Sequence, residues 1–413
     1  MPAHLPPRPS ARSAVPPFRV MEILADVERL RAAGRDVVSL CAGEPSGGAP
    51  GPVARAAARV HARNEGLGYT PALGIEPLRR AVAGHYARWY GLDVRPEDVA
   101  ITTGASGALV LTFLAAFDAG DRVAVCRPGY PAYRNTLAAL GAEVVELDCG
   151  AATRFQPTPG MLDAAVAEHG PLQGLVVAGP ANPTGTVLEP GELAALARWC
   201  AEHGTRLISD EIYHGIVHTA PEGGAPRDGG PYRGTSAWEH DRDAVVISSF
   251  SKYWGMTGWR LGWALLPRDL AAAVDALAGN LSLCPPAAAQ HAAVEAFTPD
   301  AYAEADRAVE QFARSRSLLL DALPALRWGE VAPADGAFYL YADLGEQLER
   351  HGSSLEWCRR LLEAEAVAVA QNIWRQINLV NLHENIQPTR ERARLVLRKM
   401  ADHSVGEIWM RCM

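Results

Sequence analysis

The chain has 413 residues, room for two domains at ~100–200 residues each. With 48% hydrophobic and 21% charged residues it has the make-up of an ordinary globular protein. Its formal net charge of -8 argues against sequence-independent nucleic-acid binding, which needs a basic surface.

The first nineteen residues hold six prolines and no apolar core, so they read as an extended Pro-rich arm, not a secretory signal. A helix follows, with Val20, Ile23, Leu24, Val27 and Leu30 on one face, stopping near Gly34. Val37–Leu40 forms a short strand that runs into a turn-rich loop carrying Gly43 and Glu44. Two helices, Val53–Asn64 and Ile75–Tyr90, flank the loop GLGYTPALG with Tyr69. From there strands and helices alternate. Strands are expected at Val99–Thr103, Arg122–Val125, Glu143–Leu147, Gly174–Ala178, Arg206–Ser209, Ala244–Ile247 and Leu261–Leu266. Helices between them are expected at Ser106–Phe117, Tyr130–Leu140, Met161–Glu168 and Glu192–His203. This alternation predicts a mostly parallel sheet with helices on both faces, an α/β architecture. Residues 219–235 read as a Gly/Pro-rich surface loop. Beyond Leu266, long helical patterns at Asp269–Leu277 and Pro286–Leu320 lead to strands near Ala325–Val331 and Ala337–Ala342. Helix Ser354–Glu365 and strand Val367–Ala370 follow, and together these make a smaller α+β domain.

In a parallel sheet, ligands bind beyond the carboxyl ends of the strands, and here those ends carry chemistry. Gly104-Ala105-Ser106 opens a helix, where free N–H groups and the dipole suit an anion. Tyr130, Asn182, and Asp210 with Tyr213 follow successive strands. The stretch SSFSKYWGMTGWRLGW then brings Ser249, Lys252 and Arg260. A lysine set between two core strands needs a reason, because lysine is seldom buried unpaired. Anion donors, a stacking ring, an amide, a carboxylate with a phenol, a lysine and an arginine together suit pyridoxal phosphate.

The motifs GYTPALG, TTGASGAL, PGYPAY, NPTG, SDEIY and SFSKYWGMTGWRLG resemble the class I/II aminotransferases of pyridoxal phosphate fold type I, near the aspartate aminotransferase branch. The resemblance runs from about Val20 to Ala370. It implies a large cofactor domain over 46–283 and a small domain made of 1–45 and 284–413, with 1–19 a loose arm and 371–413 an atypical tail. It implies that Lys252 forms the internal aldimine and serves as base, that Asp210 pairs with the ring nitrogen, and that Tyr213 and Asn182 bond the phenolic oxygen. Tyr130 would stack on the ring, while Gly104, Ala105, Ser106, Ser249 and Arg260 hold the phosphate. Tyr69 would reach the phosphate of the neighbouring subunit in a homodimer, and Gly43 would lie beside the substrate. The implied activity is amino transfer between an L-amino acid and a 2-oxo acid. The spacings agree: 28 residues from Asn182 to Asp210 and eight from Lys252 to Arg260.

The ending departs from the family. The usual Gly-rich loop is missing, and four of the chain's eight asparagines fall in its last 43 residues, which marks a change of composition. Arg375 is the candidate clamp for the substrate's α-carboxylate, with Arg390 or an arginine outside the tail as alternatives. Lyase or cyclase chemistry on the same scaffold, or a cofactor-binding protein with impaired turnover, are the alternatives. A ligand-sensing regulator would need a DNA-binding domain, for which the nineteen-residue arm is too short.

Seven scattered cysteines, none in C-x-x-C or C-x-x-H spacing, suggest no metal site and read as thiols of a reducing compartment. No run approaches the ~20 apolar residues of a membrane span. A cytoplasmic enzyme with no membrane or nucleic-acid partner is expected.

Overall fold

In the computed structural model the described residues are 8–365, without 18, 42, 64–66, 226–229, 327, 346–347 and 349–352. The backbones of strands 367–369, 376–378, 395–399 and 405–410 complete them. A seven-stranded sheet occupies the centre. Its strands are β2 (Val99–Thr102), β3 (Arg122–Arg127), β4 (Glu143–Asp148), β5 (Gly174–Ala178), β6 (Arg206–Asp210), β7 (Val245–Ser249) and β8 (Gly262–Leu265). The order is β2-β8-β7-β6-β5-β3-β4, and only β8 runs antiparallel to its neighbours. The fold is α/β, as the alternation predicts.

Both faces of the sheet are buried, and the side chains divide with period two. Ile101, Leu175, Val177, Leu207, Val246 and Trp263 face one way, against Leu78 and Val82 of α3 (Glu76–Tyr90) and Leu193 and Leu196 of α7 (Pro190–His203). Ala100, Val176, Ile208, Val245, Ile247 and Ala264 face the other, against Ala108 and Leu109 of α4 (Gly104–Ala116), Leu137 of α5 (Pro131–Leu140) and Val274 of α8 (Arg268–Leu281). Local chemistry sets the helix ends. Pro131 and Pro190 sit in the first turns of α5 and α7, where a missing N–H costs nothing, and Gly141 and Gly204 end those helices with left-handed caps.

A second group of elements lies around α1 (Arg19–Ala32). Ile23, Val27 and Leu30 pack on Val37, Cys41 and Leu362, the last from α11 (Ser354–Glu365). Strand β1 (Val38–Leu40) pairs in parallel with β10 (Val367–Val369), tying the start of the chain to its far end. The arm is not featureless: a 3-10 turn, Ala11–Ser13, is capped by Ser10.

Two expectations are corrected. The single helical run 286–320 is broken into α9 (Ala287–Ala293), a 3-10 turn (Val294–Phe297) and α10 (Pro299–Leu326). Thr298 is extended ahead of Pro299, as the residue before a proline favours, and its hydroxyl donates to the Glu295 carbonyl at 2.8 Å. Among the described residues of 325–331 no strand forms. Helix α10 runs on to Leu326, leaving one isolated bridge between Val331 and Ala342. A short apolar run cannot be assigned to strand or helix by periodicity alone.

Beyond β10, β11 (Gln376–Asn378) pairs antiparallel to β9 (Tyr339–Tyr341). Arg375 and Arg390 lie outside the described residues. A hairpin of β12 (Leu395–Lys399) and β13 (Val405–Met410) follows. Among the described residues no helix is long and apolar enough to cross a membrane, and no group of three metal-ligating side chains gathers.

Candidate active site

The carboxyl ends of β2, β3, β5, β6 and β7 open into a cavity of about 340 Å³. Ala105, Ser106, Tyr130, Asn182, Asp210, Tyr213, Lys252, Arg260 and Gly43 all line it. One sheet edge thus collects residues spread over two hundred positions of chain.

Lys252 is placed by the residues on its carboxyl side. Tyr253, Trp254 and Met256 are buried, with the Trp254 indole donating to the Ala296 carbonyl at 2.8 Å. The Tyr253 hydroxyl donates to Asp306 at 2.6 Å, and Arg233 pairs with the same carboxylate. These anchors leave the Lys252 amine to turn back into the cavity, where it donates to the Gly43 carbonyl at 2.5 Å. Burial pulls its pKa down to about 8; Glu44 and Asp210 oppose the shift and Arg260 adds to it.

Asp210 ends β6 and is 3% exposed. It accepts from the Tyr133 hydroxyl at 2.5 Å and the Ile212 N–H at 3.1 Å. Burial still pushes it up to about 6, against those two bonds and the charge of Lys252.

The start of α4 forms a cradle. Its cap residue Thr103 makes no side-chain bond, so first-turn N–H groups have no cap partner. Gly104 has φ +67°, and a Cβ there would come within 2.7 Å of the Arg260 guanidinium. Arg260 itself has φ 53°, a strained value for a non-glycine residue that costs about 1–3 kcal/mol.

Two site candidates stand apart. The Ser249 side chain is not part of the cavity lining. Its hydroxyl donates to the Leu261 carbonyl at 2.9 Å and accepts the Ser251 N–H at 3.0 Å, so it braces the lysine loop while Ser251 reaches the lining. Tyr69 is 85% exposed and does not line the cavity of its own chain.

Sequence reasoning passed over Tyr133, Tyr339, Ser251, Thr257 and the apolar wall of Val20, Met21, Leu24 and Cys41. Tyr133 carried a signal, since a residue three after Tyr130 in a helix shares its face. Tyr339 carried none. A larger groove of about 1140 Å³ lies at the opposite, amino-terminal edge of the sheet. There Arg206 is paired with Asp269 and Arg95 with Asp98, and the lining has no lysine.

The family model for aminotransferase class I and II matches residues 35–381. The chain belongs to this family. Among its relatives is a valine–pyruvate aminotransferase of Mycobacterium tuberculosis, 53% identical over 89% of this chain and 90% of the relative. An aspartate/prephenate aminotransferase of Thermus thermophilus is 34% identical over 93% and 97%. Of solved structures, an aminotransferase from Mycobacterium tuberculosis superimposes with TM-score 0.83 at 49% identity, covering 91% of this chain and 95% of that one. Aspartate aminotransferase from Thermus thermophilus with maleate gives TM-score 0.81 at 31% identity, with the same coverage.

The protein is therefore a fold type I, pyridoxal phosphate-dependent aminotransferase. It moves an amino group between an amino acid and a 2-oxo acid. The cavity fits that cofactor. A helix start beside a guanidinium matches the phosphate, a buried carboxylate at the strand ends matches a protonated ring nitrogen, and a lysine of lowered basicity matches the aldehyde. The comparisons lend no support to the lyase, cyclase or impaired-turnover alternatives.

Proposed function

We propose that this aminotransferase takes a neutral aliphatic L-amino acid as donor and a short 2-oxo acid as acceptor, of the kind named by valine and pyruvate. The observation that carries this is the 53% identity to the valine–pyruvate aminotransferase. The cavity wall agrees with it: Val20, Met21, Leu24, Cys41 and Leu109 present apolar surface, and Arg260 is the one guanidinium in the described lining. The side chain of an acidic donor would meet that apolar wall without a cation to replace its water.

Within this reading Lys252 would hold the cofactor at its aldehyde carbon, and its amine is the group placed to move the proton at the substrate Cα. When bound, the cofactor supplies the electron sink that makes this proton removable and carries the amino group between half-reactions. Asp210 holds the ring nitrogen protonated, and its bond from Tyr133 keeps the carboxylate aimed. Tyr213 and Asn182 hydrogen-bond the phenolic oxygen and Tyr130 covers the ring. Gly104, Ala105, Ser106 and Arg260 bind the phosphate, with Ser251 at the cavity face and Ser249 bracing it from behind. Gly43 borders the substrate, and Arg375 clamps its carboxylate.

The working unit is a homodimer in which Tyr69 serves the neighbouring subunit's cofactor; its exposure in the single chain supports this. The division into 46–283 and 1–45 with 284–413 belongs to the same proposal, supported by the β1–β10 pairing and the α1–α11 core.

The test is a panel of amino donors offered to the holoenzyme with pyruvate, scored by alanine formed. Valine and its aliphatic neighbours should exceed aspartate in kcat/KM by roughly ten- to hundred-fold, the range a side-chain pocket supplies. A preference for aspartate with 2-oxoglutarate would overturn the substrate assignment and leave the family membership standing.

A further inference from the structure

Tyr213 and Tyr339 bring their hydroxyls into hydrogen-bond contact from positions 126 residues apart. Tyr213 follows β6 beside Asp210, whereas Tyr339 opens β9 in the carboxyl-terminal part of the chain. Both rings are buried, 4% and 2% exposed, and meet edge to face with centroids 5.5 Å apart. Burial raises both phenols above their ordinary pKa, so each keeps its proton at neutral pH.

Two protonated phenols in contact place one proton between their oxygens and must direct the other elsewhere. Among the described residues, the Tyr339 hydroxyl has no second hydrogen-bond partner. The nearby Gly43 carbonyl already accepts from Lys252. Tyr339 crowds Gly43 so closely that a Cβ at that glycine would collide with its oxygen. Both tyrosines border the cavity, and the Lys252 amine lies 5.7 Å from the Tyr213 ring centre. A phenol has one proton to give, so a Tyr213 that donates to the cofactor must accept from Tyr339 in the contact between them.

We propose that Tyr339 is a positioning residue: it donates to the Tyr213 oxygen, so that Tyr213 aims its own proton into the cavity at the cofactor's phenolic oxygen. This rests on the reading that Tyr213 serves that oxygen. A hydroxyl that accepts a hydrogen bond becomes a stronger donor. Tyr339 thus strengthens a bond that favours the deprotonated form of the lysine-bound cofactor, which lowers the pH at which that form appears. The same contact explains why position 43 is glycine, beyond any contact with substrate.

The experiment is a spectrophotometric pH titration of the cofactor absorbance in the holoenzyme. Tyr339→Phe should move the midpoint up by ~0.5–1 pH unit, the size of losing part of one hydrogen bond. Tyr213→Phe should move it further, and the double variant should match Tyr213→Phe alone, because the two residues act in series. If Tyr213→Phe shifts the midpoint and Tyr339→Phe does not, or if the two shifts add, the positioning role is overturned while the reading of Tyr213 survives. If Tyr213→Phe leaves the midpoint in place, that reading itself fails. Should Tyr339→Phe not fold, Gly43→Ala decides in its place. It displaces the Tyr339 hydroxyl and keeps both tyrosines, so an upward shift supports the proposal and an unmoved midpoint overturns it.

Discussion

Lys252 shows how burial makes a reagent of a side chain. With its pKa near 8, about a tenth of the amine is unprotonated at pH 7, some hundreds of times more than for an exposed lysine. An unprotonated amine can attack an aldehyde and accept a proton; an ammonium can do neither. Lys252→Ala should remove the lysine-bound cofactor band from the visible spectrum and lower turnover by ~10²–10⁴-fold or more. Near-normal turnover in that variant would sink the assignment. Asp210 shows the counterpart: its pKa of about 6 belongs to a carboxylate with no cationic partner in contact among the described residues, the condition a protonated ring nitrogen would relieve.

At the scale of the element, the end of β6 is a polar seam under the site. Beyond Asp210, the Glu211 carboxyl is buried and accepts the Ala237 N–H at 2.8 Å. The His214 ring lies 3.5 Å from it and takes a 2.7 Å bond with the Tyr90 hydroxyl. Burial pushes Glu211 up to about 8 and His214 down to about 3, so at neutral pH both are uncharged and the contact is not an ion pair. The folded state holds the Glu211 proton up to about pH 8, while the unfolded chain releases it near 4.5. Its stabilising contribution is therefore full below 4.5 and is lost as pH rises through 8, a matter of a few kcal/mol. Glu211→Gln should flatten the decline in Tm between pH 6 and 9, as read by thermal unfolding of the holoenzyme. A variant that declines as steeply as the parent would place the proton elsewhere.

At the scale of the whole molecule, the loop between α2 (Gly51–Arg63) and α3 leaves Tyr69 85% and Leu67 44% exposed. A phenol bonded to a phosphate is worth about 1.5–3 kcal/mol, so Tyr69→Phe should weaken cofactor affinity roughly ten- to hundred-fold. If Tyr69 serves the other subunit, a hybrid of Tyr69→Phe and Lys252→Ala chains has one site with both defects and one with neither. Co-expression should then restore tight cofactor binding and turnover at limiting cofactor, beyond either variant alone. No recovery in isolated hybrids would return Tyr69 to its own chain or to the surface.

The sequence alone determined the sheet, its helical cover and the strand-end residues, because each depends on local periodicity and on short motifs read within a few residues. Lys252, Asp210, Tyr130 and Asn182 were legible for that reason, and they do line one cavity. Where local signals were ambiguous the reading slipped, as at 325–331, where an apolar run continued a helix. Only the tertiary structure decided which hydroxyl reaches the cavity, Ser251 or Ser249, since both sit in one motif and differ in what the fold sets against them. It alone brought Tyr339 to Tyr213 and turned α1 toward the site as an apolar wall. Contacts across such sequence distances leave no periodic trace, because their partners are chosen by how the two ends of the chain pack against the sheet.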